Sequence, residues 1–181
     1  MPILYKDLRQ ICLTGGVLGV KGTGFFSKVV KYFTKEEFTH VAMLVWHGTG
    51  LWVYEFVEGT GYQCSPASWW FSNRIGQAVF YGHPPLVVSA RPELVMREAN
   101  SFRGTKVKQH YGIVSLIKVA IAQWTKKDIK VYFKVCSTFL QHVWSKCGHE
   151  FEMTADPGNI MRIAERQSML MPVDTSKELY K

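Results

Sequence analysis

Three residues of this chain have the types that nucleophilic catalysis requires: Cys136, His40 and Glu55. A thiol becomes a strong nucleophile when an imidazole lies within hydrogen-bond reach and a third polar group orients that imidazole. Cys136 lies at or near the start of a predicted helix, where unpaired backbone N–H groups and the helix dipole favour a thiolate. We therefore expect Cys136 to be a nucleophile, His40 its general base and Glu55 the orienting group.

His40 and Glu55 are expected to meet because they lie on the two arms of one predicted hairpin. Thr39 to Trp46 and Leu51 to Val57 are rich in β-branched and aromatic residues, and HGTG between them supplies a turn. Pairing about the centre of that turn places Ala42 opposite Glu55. Because side chains alternate along a strand, His40 and Glu55 then share one face, about 7 Å apart at Cα. A one-residue bulge would move Glu55 to the other face.

Structural and metal-binding roles are the alternatives for these residues. Cysteine is commonly buried, and a histidine in an apolar strand is commonly part of the core. Cys136, His142, Cys147 and His149 would also offer ligands to zinc, but their separations match none of the usual ligand pairs. We expect neither a metal nor another cofactor.

Further segments complete a mixed α and β pattern around the hairpin. A glycine-rich strand and the short amphipathic helix FFSKVVKYFT precede it, and a strand over Gln77 to Tyr81 follows it. Apolar spacing and flanking Pro or Gly residues predict helices over four segments: Pro92 to Phe102, Gly112 to Trp124, Val135 to Trp144 and Asn159 to Ser168.

Length and composition indicate a single domain over residues 1–181, because 181 residues with 47% hydrophobic content can bury one sizeable core. No apolar run approaches the roughly 20 residues that span a bilayer. The stretch Ile11 to Val20 loosely resembles a signal peptide, but glycines dilute it and no cleavage site follows. Four irregularly spaced cysteines are typical of free thiols. We expect a cytoplasmic protein, or one that a virus or phage delivers.

The net charge of +8 indicates an anionic partner, such as nucleic acid, an anionic membrane surface or an acidic substrate. Solubility alone is the competing explanation, since the lysines are dispersed along the chain. Trp69, Trp70 and Phe71 would form a docking patch if the protein acted at a membrane, although such aromatics are more often core or loop residues.

Four segments resemble the circularly permuted NlpC-type papain-like cysteine hydrolases. FSKVVKYFTKEEFTHVAMLV is similar to their N-terminal block, in which a helix leads into the strand that bears the histidine. YFKVCSTFLQHVW resembles their second block, with an aromatic before Cys-Ser and an amphipathic helix after it. VYEF lies where the family places its third polar residue, and DPGNIMRIA resembles a turn and short helix that follow. His40 and Glu55 precede Cys136, which is the order of the permuted branch.

The resemblance implies an α+β papain-like domain, with a central antiparallel sheet or partial barrel packed against helices and the nucleophile at a helix N-terminus. It implies a Cys136-His40-Glu55 triad that hydrolyses or transfers peptide, amide or acyl groups, for example on peptidoglycan peptides, isopeptides or lipids. The backbone N–H of Cys136 and the side chain of Tyr111 would hold the oxyanion. Two alternatives remain: a binding protein with a vestigial triad that contacts nucleic acid or a host protein, and an acyl-modifying enzyme at a membrane surface.

Overall fold

The computed structural model describes residues 1–24, 27–28, 31–32, 36–57, 60–103, 136–152 and 154–176. The strands are β1 (Val17–Lys21), β2 (His40–His47), β3 (Gly50–Val57), β4 (Gly61–Pro66), β5 (Ala78–Gly82) and β6 (Met171–Val173). The helices are α1 (Tyr5–Ile11), α2 (Ala67–Ser72), α3 (Leu86–Ser89), α4 (Pro92–Asn100), α5 (Cys136–Lys146) and α6 (Pro157–Gln167). Within the described residues these strands form one antiparallel sheet in the order β4-β3-β2-β1-β5-β6.

The hairpin of β2 and β3 has the predicted register. Its two-residue turn contains Gly48, whose φ of +56° is a conformation that glycine adopts without steric cost. Met43 lies opposite Tyr54, and continuing the ladder by one residue places Ala42 opposite Glu55. The paired residues run without a bulge from the turn to Met43 and Tyr54. The prediction that fixed the face of Glu55 is therefore confirmed.

Two hydrophobic cores lie on opposite faces of the sheet, and side chains of β2 alternate between them. Val41, Met43 and Val45 pack with buried residues of α4, α5 and α6. Ala42 and Leu44 pack with buried residues of α1 and α2. All five side chains are fully buried, and burial of a valine, leucine or methionine side chain contributes about 1.5 to 3 kcal/mol. The middle of β2 is thus packed on both faces, and this packing fixes the positions of the residues at its two ends.

Most of the predicted elements that fall within the described residues are present. The helices predicted from residues 92, 135 and 159 correspond to α4, α5 and α6, and the strand predicted from residue 77 corresponds to β5. Of the segment FFSKVVKYFT, the described residues Ser27, Lys28, Lys31 and Tyr32 are helical. The helix predicted over Gly112 to Trp124 lies outside the described residues. Sequence reasoning missed α1, α2, α3, β4 and β6.

The proposed aromatic docking patch is wrong for two of its three members. Trp70 and Phe71 are fully buried, whereas Trp69 is 55% exposed. Both buried rings belong to the core beneath α2, because a six-residue helix that packs flat on a sheet must turn one side inward. No helix in the described part of the chain is both long enough and apolar enough to cross a bilayer.

Candidate active site

The imidazole of His40 is hydrogen-bonded to the carboxylate of Glu55. His40 is the first residue of β2, and its Nε2 lies 2.6 Å from Oε2 of Glu55 on β3. The Glu55 side chain is only 3% exposed, and a buried carboxylate needs donors to replace the water that it has lost. The hairpin register therefore brings together the two residues that the sequence analysis paired.

Cys136 also interacts with the imidazole of His40. It is the first described residue of α5, and it is 9% exposed. It is close enough to the imidazole to raise the pKa of His40. Because Nε2 of His40 is engaged with Glu55, Nδ1 is the ring nitrogen that remains for Cys136. His40 is thus the residue that interacts with both Glu55 and Cys136.

The protonated form of His40 is strongly favoured in this position. Burial alone would lower the pKa of the ring, but the interaction with Cys136 and the hydrogen bond to Glu55 outweigh it. Together with the charge of Glu55, these interactions raise the pKa of His40 to about 10. At neutral pH the ring is an imidazolium that can donate a proton from both nitrogens.

This raised pKa predicts a pH dependence of stability. A histidine with a pKa of about 6.5 in the unfolded chain and about 10 in the folded chain stabilises the fold fully below pH 6.5. That contribution is lost as the pH rises towards 10. In urea denaturation, the free energy of unfolding of wild type relative to His40→Gln should therefore fall between those two pH values. A difference that stays constant over this range would contradict the raised pKa.

Arg74 is a member of the site that the sequence analysis missed. It follows α2, and its Nη2 donates to Oε1 and Oε2 of Glu55 at 3.1 and 3.0 Å. The guanidinium carbon lies 3.8 Å from the ring centroid of Trp70, and the arginine side chain is 17% exposed. Burial would raise the pKa of Glu55, but the hydrogen bond and charge of His40, followed by the charge of Arg74, lower it. Glu55 is thus held as a carboxylate between two cations.

The site joins the two faces of the sheet. Glu55 lies two residues after Val53 and therefore shares its face of the sheet. Val53 belongs to the core beneath α1 and α2. Cys136 belongs to the core on the opposite face. His40 contacts both residues from the end of β2. The imidazole therefore bridges the faces where the strand begins.

A cavity of about 440 Å³ opens beside the imidazole. His40 and Arg74 line it, together with hydroxyl and amide side chains that include Thr23, Ser27 and Asn73. Its described lining contains no carboxylate and does not include Cys136. The cavity thus offers neutral hydrogen-bonding groups beside the two basic side chains. Among the described residues it is lined by His40 and not by Cys136.

The remaining predictions about site residues have different outcomes. Tyr111, the expected oxyanion residue, lies outside the described residues, and its role stays a prediction. Cys136, His142, Cys147 and His149 are all described, and the described residues contain no group of three or more His, Cys, Asp or Glu side chains that could hold a metal ion.

The other three cysteines have distinct surroundings, and none of them forms a disulfide. Burial raises the pKa of Cys12 to about 11 and also raises the pKa of Cys147. Cys64 is half-buried, and Nη2 of Arg103 donates a hydrogen bond to its sulfur at 3.2 Å. Cys64 is thus the thiol with which the reactivity of Cys136 must be compared.

Comparisons with known proteins give a likeness of fold. No protein-family model matches the sequence, and a comparison with curated proteins finds no match. Among solved structures, the metalloprotein yiiX (DUF1105) from Escherichia coli O157:H7 superposes with a TM-score of 0.54 at 15% identity. The match covers 93% of this chain and 91% of that chain. This chain is similar in fold to yiiX. A shared fold does not establish a shared activity, so function must be argued from the residues described above.

Proposed function

We propose that this protein is a thiol hydrolase of amides or related acyl compounds, in which Cys136, His40 and Glu55 act as a triad on a permuted papain-like fold. One observation carries the proposal: His40 is hydrogen-bonded to Glu55 through Nε2 and lies close enough to Cys136 for that side chain to raise its pKa. A nucleophile, a base within hydrogen-bond reach and an orienting group for that base are what covalent acyl transfer requires.

The reaction proceeds through an acyl-enzyme. The Cys136 thiolate attacks the carbonyl carbon, and the new C–S bond forms as the C–N bond of the amide breaks. The His40 imidazolium gives its proton to the leaving amine and becomes neutral. The neutral ring then takes a proton from water, which attacks the thioester and releases the acid and the thiolate. If an amine replaces water in the second step, the product is a transferred acyl group.

The cavity beside His40 supports a polar substrate. Its hydroxyl and amide side chains, among them Thr23, Ser27 and Asn73, suit the N–H and C=O groups of a peptide better than the methylenes of a lipid chain. Burial of Trp70 and Phe71 also removes most of the aromatic surface expected for a membrane-acting enzyme. We therefore favour peptide or isopeptide substrates, peptidoglycan peptides included.

No step of this proposal passes through a metal ion. The structural neighbour yiiX is described as a metalloprotein, but the described residues of this chain bring no set of three ligand side chains together. Zinc and similar ions require three or four protein ligands at one point. The donor groups present instead fit a proton-transfer chain from Cys136 through His40 to Glu55.

The thiol reactivity of Cys136 tests the proposal directly. Iodoacetamide near neutral pH should alkylate Cys136 at least about tenfold faster than Cys12, Cys64 or Cys147, because the adjacent imidazolium stabilises the thiolate. Peptide mass spectrometry after short exposure measures the rate at each cysteine. A Cys64→Ser variant provides the control, since it removes the most exposed of the four thiols and leaves the site unchanged.

Two outcomes would count against the enzyme. Equal alkylation of Cys136 and Cys64 would show that the imidazole does not activate the thiol. Full biological function in a Cys136→Ala variant would instead favour a binding protein with a vestigial triad. A specific feature suits that second candidate: Lys6 and Arg9 of α1 line a cavity of about 430 Å³ beside Trp46, as an anionic partner would require.

A further inference from the structure

Arg74 and His40 share one acceptor atom. Oε2 of Glu55 lies 3.0 Å from Nη2 of Arg74 and 2.6 Å from Nε2 of His40. The two donor nitrogens are therefore no more than about 6 Å apart, a separation at which one charge alters the protonation of another. Glu55 is only 3% exposed, so little water screens this interaction.

An isolated carboxylate in the position of Glu55 would hinder the catalytic cycle proposed above. It would stabilise the His40 imidazolium, and a ring that holds its proton too tightly can neither protonate a leaving amine nor accept a proton from water. A positive charge on the far side of Glu55 opposes this effect, because it disfavours the protonated ring through simple repulsion.

We propose that Arg74 is a positioning residue of this site, which offsets part of the charge of Glu55, so that the His40 imidazolium is stabilised less than it would be by Glu55 alone. The catalytic use of this charge balance rests on the proposed function, but the effect of Arg74 on the pKa of His40 does not. With Arg74 in place, Glu55 keeps a fixed orientation and part of its charge is offset. Glu55 and Arg74 together orient the ring.

Arg74 is itself firmly held, as a charge with this task must be. Its guanidinium lies over the Trp70 ring, and Nη1 donates to the Trp70 carbonyl at 3.3 Å. The described charged or titratable groups that act on Glu55 are His40 from β2 and Arg74 from the segment after α2. Among such groups, the largest influences on His40 come from Cys136 of α5 and Glu55 of β3.

The titration of His40 tests the inference without any substrate. In a Cys136→Ala background, which removes the influence of the thiol, NMR spectroscopy can follow the His40 ring against pH. Adding Arg74→Met should raise the pKa of His40 by about one unit, since a nearby positive charge is lost. Arg74→Lys should restore much of the original value.

The controls separate charge balance from simple anchoring. Arg9→Met removes another arginine that lies over a tryptophan and donates to a carbonyl, and it should leave the His40 titration unchanged. If Arg74→Met does not fold, Arg74→Gln keeps a donor for Glu55 without the charge and carries the same expectation. An unchanged or lowered pKa of His40 would overturn the inference, because a lowered value means that Arg74 only holds Glu55 near the ring. None of these outcomes depends on whether the protein is an enzyme.

Discussion

Replacing His40 with glutamine should slow acylation of Cys136 by a factor of about 10² to 10⁴, the usual contribution of a general acid-base group. Glutamine fills a similar volume and can still hydrogen-bond to Glu55, but it can neither carry the proton nor pair with a thiolate. The measurement is the burst of p-nitrophenolate from p-nitrophenyl acetate, with intact mass spectrometry to detect one acetyl group on the protein.

His47→Gln is the matched control for this experiment. His47 ends the strand that His40 begins, and it is bonded to Tyr54 away from the proposed triad. Its replacement should leave the burst rate within about twofold of wild type, since general acid-base catalysis requires direct contact with the reacting groups. Equal slowing in both variants would show that β2 as a whole is perturbed, and an unchanged rate in His40→Gln would remove the imidazole from the mechanism.

Replacing Glu55 with alanine should destabilise the protein by about 2 to 3 kcal/mol. The carboxylate is 3% exposed and pairs with Arg74 and His40, whose side chains are 17% and 24% exposed. Its removal leaves two poorly hydrated cations facing each other, and breaking a buried ion pair from one side costs several kcal/mol. Because both cations are partly exposed, we expect a smaller loss of stability than for a fully buried ion pair. Urea denaturation at neutral pH measures it.

Two further variants show whether that loss comes from the unpaired cations. Glu37→Ala removes a glutamate that pairs with Lys21 but is 74% exposed, and it should leave the free energy of unfolding nearly unchanged. The double variant Glu55→Leu with Arg74→Met removes both charges and should recover part of the stability lost in Glu55→Ala. A double variant that is as unstable as the sum of its parts would contradict the ion-pair explanation.

The hairpin was predictable because its physics is local. Two-residue turns fix the register of the strands that they join, and side chains alternate with a period of two. Counting outward from HGTG is therefore enough to place Glu55 beside His40, as the 2.6 Å contact shows. The helix that contains Cys136 was predictable for the same reason, since its apolar stripe repeats at helical spacing.

Arg74 could not be found in this way because its position depends on tertiary packing. It follows a six-residue helix with no polar periodicity. Its partner Glu55 lies 19 residues earlier, on strand β3. Nothing in the sequence says that Trp70 will be buried to provide the surface over which the guanidinium lies. The strand β4 was missed for a related reason, because GYQCSP has only a weak apolar alternation and owes its pairing to β3.

The position of the His40–Glu55 pair on one hairpin has a consequence for the order in which the site is made. The two residues are 15 positions apart, and hairpins form in about 1 to 10 μs. With β1 already synthesised, three adjacent strands are available, which is enough for a sheet to persist. At about 5 to 20 residues per second, the ribosome adds Cys136 roughly 4 to 16 s after Glu55. During synthesis the His40–Glu55 pair can thus form first, and Cys136 joins it only when α5 docks onto the strands made before it.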